Sequence, residues 1–241
     1  MITGDLIIQA PDILHIDALS NLTSIEGFLR IQDNALLQNL NGLTGLVNIG
    51  EDLTIRNNSQ LTNLDPLATL TSIGRNLTVS NNDNLLNLDG FSALELIGVG
   101  KVQIFDNGNS QNVSGLLALD SVSGLRISLN NSLPNLNGLD QVVYVAGDLM
   151  IDNNGMLTDM SGLDALSHVG GMLAFDNNSN LQSVDGLSSL NTIGGNLIFS
   201  SNGNLVNLDG LNSLNAIGGI FNIFNNNNLD TIVFYHSTIS F

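Results

Sequence analysis

The chain has 241 residues, with 22 acidic and 5 basic side chains and a formal net charge of −17. Such a charge repels phosphate backbones and anionic lipid surfaces, which excludes nucleic acid as a partner. The chain has no cysteine, which excludes disulfides, thiolate metal sites and a cysteine nucleophile, and it has no apolar run long enough for membrane insertion.

An asparagine recurs about every 24 residues along most of the chain. A fixed period between 20 and 50 residues is typical of solenoids, in which each coil buries its apolar side against its neighbours. The repeat predicts a parallel β-helix of about ten coils of 24 residues. The column consists of Asn34, Asn58, Asn82, Asn107, Asn130, Asn154, Asn178, Asn202 and Asn226.

We expect a single solenoid domain over residues 1–241. Its first coil, residues 1–28, is degenerate, and regular coils occupy residues 29–230. The final segment 231–241, TIVFYHSTISF, leaves the pattern and is expected to form a C-terminal cap.

Each coil is predicted to open with a short strand. Leu53–Arg56 alternates apolar and polar residues, which is typical of a strand with one buried face. Stacked coil on coil, these segments predict a parallel sheet. The equivalent segments open at Leu6, Leu29, Leu77, Val102, Leu125, Leu149, Leu173, Leu197 and Phe221.

After the strand, the chain is expected to turn at the asparagine column and to continue with apolar residues three positions apart. This spacing fits short extended or 3₁₀ segments, and a second short strand is predicted near residues 70–73. In one coil the spaced residues are Leu61, Leu64, Leu67, Leu70 and Ile73. Glycines that follow Asn, Asp or Ser are expected to permit positive φ in the turns. They are Gly42, Gly90, Gly138, Gly162, Gly186 and Gly210.

The asparagine column is interpreted as structural. A buried asparagine in a solenoid turn can donate to carbonyls and accept from amides of its own bend and of the next coil. The coil at 102–124 dilutes the repeat, and its neighbour carries Leu129 at a normally polar position. A bulge or kink is therefore expected in this region.

The motif L-x-x-I-G-G-N-L-x-I-x-x-N-x-x-L-x-N-L-D-G-L is found in residues 190–211, with Phe199 at its second isoleucine, and with further changes in 70–91 and 166–187. It resembles the receptor L domain family, whose leucine-rich-repeat-like solenoids occur in insulin and epidermal growth factor receptors and in fungal and bacterial surface proteins. The resemblance covers nearly the whole chain. It implies a right-handed, leucine-rich-repeat-like solenoid on a cell surface that binds a protein or glycan with one face. The cysteine-rich modules of the animal receptors are absent, and no binding residue of the family carries over to a position here.

No catalytic set is recognisable. The histidines His15, His168 and His236 lie far apart along the repeat, so no two of them are expected to meet. Carboxylates of neighbouring coils offer the best alternative, because Asp152 and Asp176 share one outward strand position roughly 5 Å apart. Two unshielded carboxylates at that distance would raise the pKa of one of them or bind a cation. We predict no enzymatic activity, at most a weak calcium site at this pair, and no other cofactor.

The outward strand positions change from basic and polar residues in the early coils to apolar and acidic residues in the later ones. This variation favours a specific macromolecular ligand. An ice-binding face would instead repeat threonine or small residues, and here Thr54 and Thr78 alone would belong to such a lattice. The predicted contact residues are Met150, Asp152, Ala174, Asp176 and Ile198.

These observations predict a non-enzymatic extracellular recognition or adhesion module for a protein or glycan. A structural spacer, or a subunit that self-associates end to end through its open coils, is the second interpretation, and an ice-binding protein is the third. Residues 1–12 lack the basic segment and cleavage site of a signal peptide, and the repeat has begun by residue 5. We therefore expect an extracellular or cell-surface location as part of a longer chain.

Overall fold

The computed structural model describes residues 1–230 and 232 of the chain. One parallel sheet of ten strands runs along the molecule, each strand pairing with its equivalents in the coils before and after it. We call the outward side of this sheet the stacked-strand face. The strands are Leu6–Ile8, Leu29–Gln32, Leu53–Arg56, Leu77–Ser80, Lys101–Phe105, Gly124–Ser128, Leu149–Asp152, Leu173–Asp176, Leu197–Ser200 and Phe221–Phe224.

The register of this sheet follows the sequence period. Leu53 pairs with Leu77 and Leu149 with Leu173, so equivalent residues stack at steps of 24. The predicted class is confirmed: the chain is a parallel β-solenoid, and the ten strands are separated by about nine turns. The predicted cap at 231–241 lies outside the described residues, apart from Ile232.

A second side of the solenoid carries two-residue strands in two smaller parallel sheets. The four-stranded sheet contains Ser24–Ile25, Asn48–Ile49, Ser72–Ile73 and Leu96–Ile97. The five-stranded sheet contains Ser121–Val122, Tyr144–Val145, His168–Val169, Thr192–Ile193 and Ala216–Ile217.

Short 3₁₀ helices explain the spacing of three between apolar residues. The N–H of Leu67 donates to the carbonyl of Leu64 at 2.8 Å, and the N–H of Leu70 donates to Leu67 at 2.9 Å. Each such turn sends one side chain into the core, and Leu64, Leu67 and Leu70 are fully buried. The 3₁₀ helices are Asp17–Leu19, Asn41–Leu43, Asp65–Leu67, Asp89–Phe91, Ser114–Leu116, Asp185–Leu187 and Asp209–Leu211. The described part of the chain contains no helix that is long and apolar enough to cross a membrane.

The irregularity expected at 102–124 is a break on the second side, between Leu96–Ile97 and Ser121–Val122, which do not pair. A short corner connects each strand of the second side to the next strand of the ten-stranded sheet. Three residues usually separate the buried residues that flank this corner, as at 74–76 between Ile73 and Leu77. The corner at 98–101 has four and the next, at 123–124, has two. The ten-stranded sheet continues across this point without a bulge.

The turn glycines differ from the expectation. Positive φ occurs at Gly138 and Gly162, at +119° and +102°, but not at the other four predicted positions. At Gly90 the reason for glycine is space, because a Cβ there would lie 1.8 Å from the carbonyl oxygen of Leu64 in the preceding coil. Positive φ recurs instead directly before the asparagine column, where Leu129 has φ +58°.

Candidate functional site

The asparagine column lies inside the turns and serves the backbone. Asn58 is fully buried, and its Nδ2 donates to the carbonyls of Ile31 at 3.1 Å and Arg56 at 2.9 Å. Its Oδ1 accepts from the backbone N–H of Asn34 in the preceding coil at 3.3 Å. The same pattern recurs up to Asn226, so the column leaves no side-chain group free for a ligand.

The stacked-strand face is less open than alternation along the strands indicates. Along its last outward position, smaller side chains are covered by larger neighbours in adjacent coils. Ser128 is fully buried and Asp152 is 9% exposed, whereas Arg56 and Asp176 are exposed. At this strand position, some coils therefore expose a side chain to a ligand and others do not.

Asp152 is held by groups of its own and the preceding coil. Its two carboxylate oxygens accept from Nε and Nη2 of Arg126, both at 3.3 Å, and Oδ2 also accepts from the hydroxyl of Ser128 at 2.5 Å. Nδ2 of Asn153 adds a further bond at 2.9 Å. Burial alone would raise the pKa of Asp152, but these hydrogen bonds and the charge of Arg126 together hold that pKa below its usual value.

Asp176 is bound in the opposite direction. It pairs in register with Asp152, yet its Oδ1 accepts from the hydroxyl of Ser200 in the following coil. The expectation of an unshielded carboxylate was wrong for Asp152, because Arg126 neutralises it and its pKa is lowered. No cluster of three or more His, Asp or Glu side chains suited to a metal ion occurs in the described part of the chain. The weak calcium site stays a prediction.

One shallow groove on the stacked-strand face brings the five predicted contact residues together. Met150, Asp152, Ala174, Asp176 and Ile198 all line it. The groove has a volume of about 330 Å³ and is mostly apolar. Because alanine is small, the face sinks at Ala174 between the longer side chains of the neighbouring coils. We call this depression the Ala174 groove.

Three more residues complete the Ala174 groove: Met172, Ser200 and Phe224. Ser200 and Phe224 lie at the last outward position of their strands, but the sequence prediction did not include them among the contact residues. Met172 was missed, although a signal existed. It occupies a corner position that is Asp52, Asn76, Asp148 or Asn196 in other coils, where the side chain accepts a backbone hydrogen bond from the next coil. An apolar residue there is a departure from the repeat.

The described histidines are not part of this groove. His15 lies in the first coil, 3.6 Å from Asp17. His168 lies on the second side, where its ring stacks on Tyr144 with centroids 4.9 Å apart and its Nδ1 contacts the hydroxyl of Thr192. His236 lies outside the described residues.

Fold and face together define a repeat β-solenoid with a local groove on one sheet. Comparison of the chain with protein-family models, with curated proteins and with solved structures gives no match.

Proposed function

We propose that the chain is a non-enzymatic recognition or adhesion module that binds a protein or glycan on its stacked-strand face. The observation that carries the proposal is the Ala174 groove, where an apolar floor meets acidic and hydroxyl groups at one edge. Such a floor buries apolar surface of a ligand, and a few polar groups fix its orientation. The outward residues vary between coils, as expected for a specific macromolecular ligand.

The receptor L domain resemblance supports a cell-surface or extracellular location. The residues of the shared motif lie at inward and turn positions, such as Gly194 and Leu197, which hold the coil together. The resemblance therefore supports a leucine-rich-repeat-like scaffold that presents a face, and it leaves the ligand to the outward positions.

Binding to an array of proteins and glycans tests this proposal, with Ala174→Leu as the variant. Leucine fills the groove without adding charge, so binding of any ligand retained by the wild type should fall by about tenfold or more. Thr78→Leu is the matched control, because Thr78 occupies the equivalent strand position four coils earlier. Absence of any ligand, or equal binding by Ala174→Leu, would contradict the proposal.

A structural spacer or self-associating subunit is the second candidate. The strand Leu6–Ile8 pairs on one side with Leu29–Gln32 and forms an edge of the ten-stranded sheet. Its outward Ile7 is 52% exposed, and an exposed edge strand is a template for pairing with another chain. Sedimentation velocity should then show association that rises with concentration and is lost in Ile7→Lys. Monomers at all concentrations would remove the self-associating subunit.

Ice binding is the third candidate and has the least support. Thr54 and Thr78 pair in register, but the next outward positions along the sheet are Gln103 and Arg126. Ice crystals that grow faceted in the presence of micromolar protein would support this candidate over recognition, and round crystals would exclude it.

A further inference from the structure

The two carboxylates of the Ala174 groove differ in charge balance. Asp152 is neutralised by Arg126, whereas Asp176 is exposed and accepts one hydrogen bond from the neutral hydroxyl of Ser200. No described residue donates to the second carboxylate oxygen of Asp176. The sequence has no lysine or arginine after Arg126. The groove therefore presents one negative charge that the described chain does not balance.

The apolar part of the groove lies directly beside this charge. Ala174 and Asp176 face outward from the same strand, two residues and roughly 6.6 Å apart. Met150 and Ile198 flank Ala174 in the two neighbouring coils, so their Cα atoms are roughly 9.6 Å apart across it. This is a slot along the strand direction, with an apolar floor and an anionic end.

We propose that the Ala174 groove receives a lysine or arginine side chain from an extended basic segment of a protein partner. The inference rests on the proposed function and names its ligand class. The methylene stem lies on Ala174 between Met150 and Ile198, and the cationic head reaches the carboxylate of Asp176. Lysine and arginine bury their stems on apolar surface in this way while the charge stays at the solvent edge.

Charge and hydrogen bonding both favour a basic protein over a glycan. A sugar presents several hydroxyls and needs several free polar partners, but Asp152 is already engaged by three residues and the hydroxyl of Ser200 by Asp176. The net charge of −17 also attracts a cationic partner and speeds its association.

Methionine methyl NMR provides a direct readout, because the chain has 5 methionines. Met150 and Met172 line the groove, while Met160 is buried in the core and Met156 lies in a turn outside the groove. The probe is a short peptide with one lysine between two valines, at physiological ionic strength so that long-range attraction is screened. Peptides with norleucine or glutamate in place of lysine serve as comparisons.

We expect the lysine peptide to shift the signals of Met150 and Met172 and to leave that of Met160 unchanged. Asp176→Asn should weaken this binding by about two- to fivefold, the range of a partly exposed ion pair. Asp185→Asn is the matched control, since it removes the same charge from an exposed 3₁₀ turn and should have no effect.

Equal shifts with the norleucine peptide, or unchanged affinity in Asp176→Asn, would overturn the cationic ligand and leave groove binding intact. Array ligands that are all glycans and that are lost in Ala174→Leu would overturn it in the same way. If no array ligand is found and no peptide shifts Met150 or Met172, the proposed function and the ligand class both fail.

Discussion

Replacing Asn82 with alanine tests how the asparagine column holds the coils together. Asn82 is fully buried, and its Nδ2 donates to the carbonyls of Ile55 at 3.0 Å and Ser80 at 2.9 Å. Its Oδ1 accepts from the backbone N–H of Asn58 at 3.1 Å. Asn82→Ala removes these three bonds. The Asn58 amide then lacks its acceptor, whereas the carbonyl of Ser80 keeps the bond that it accepts from the N–H of Asn57 at 3.2 Å.

An unsatisfied buried amide costs about 1–3 kcal/mol and each further lost hydrogen bond about 0.5–1.5 kcal/mol, so the unfolding free energy should fall by about 2–5 kcal/mol after some relaxation of the bend. The matched control is Asn84→Ala, because Asn84 is exposed and donates one bond to the carbonyl of Ser59. That variant should lose less than about 1 kcal/mol. Urea unfolding followed by circular dichroism compares the two, and hydrogen exchange at the Asn58 amide reports local opening.

Asn82→Ala that loses no more stability than Asn84→Ala, with the Asn58 amide still protected, would contradict a stabilising role of the column. Such a result would mean that water or a rearranged bend satisfies the freed backbone groups at little cost. The repeated geometry of the column would then need another explanation, such as favouring one turn conformation during folding.

Three further substitutions follow from backbone and charge. Leu129→Asn should stabilise the fold by about 1 kcal/mol, because leucine with positive φ is strained and asparagine tolerates it; Leu117→Asn, in ordinary helical backbone, is its control. Gly90→Ala should cost about 3 kcal/mol or more through its clash with a backbone carbonyl, whereas Gly203→Ala, with open space, should be neutral or slightly stabilising. Asp152→Asn should cost about 1–3 kcal/mol at pH 7. Since the pKa of Asp152 is lower in the folded than in the unfolded state, its carboxylate stabilises the fold above pH of about 4 and loses that effect as the pH falls through the folded value.

Chemical unfolding at several pH values measures all three. Equal effects of the two leucine substitutions would remove backbone strain at Leu129 as the cause. A tolerated Gly90→Ala would show that the coils can separate locally to admit a methyl group. A deficit of Asp152→Asn that stays constant from pH 7 to below the folded pKa would exclude ionisation of this carboxylate as the source of its stabilising effect.

Most of the architecture follows from the sequence because it depends on repeated contacts. Each inward leucine stacks on its equivalent 24 residues away, as in Leu53 and Leu77, so a period in the sequence becomes a period in space. The break on the second side was foreseen only as an irregularity. The break depends on the lengths of two corners: the corner at 98–101 has one residue more than usual, and the corner at 123–124 has one fewer. That these changes separate the two sheets of the second side becomes visible only when the coils are paired in the structure.

The site was harder to predict from the sequence, because it depends on side chains that differ between adjacent coils. Alternation along the strand places Asp152 outward. It does not predict that Arg126 of the preceding coil donates a hydrogen bond to this carboxylate. It likewise gives Ala174 no special meaning. The groove exists because longer side chains stand on either side of that alanine, and such differences between coils are invisible to a repeat pattern.

We propose that inward and turn positions build the solenoid, whereas outward positions at the Ala174 groove bind the ligand. Measuring both stability and affinity for the same array ligand in Asn82→Ala and Ala174→Leu tests it most directly. Asn82→Ala should lose stability, and its folded fraction should bind as the wild type does. Ala174→Leu should keep its stability and lose about tenfold or more in affinity. Full binding by Ala174→Leu, with binding lost in folded Asn82→Ala, would contradict the claim.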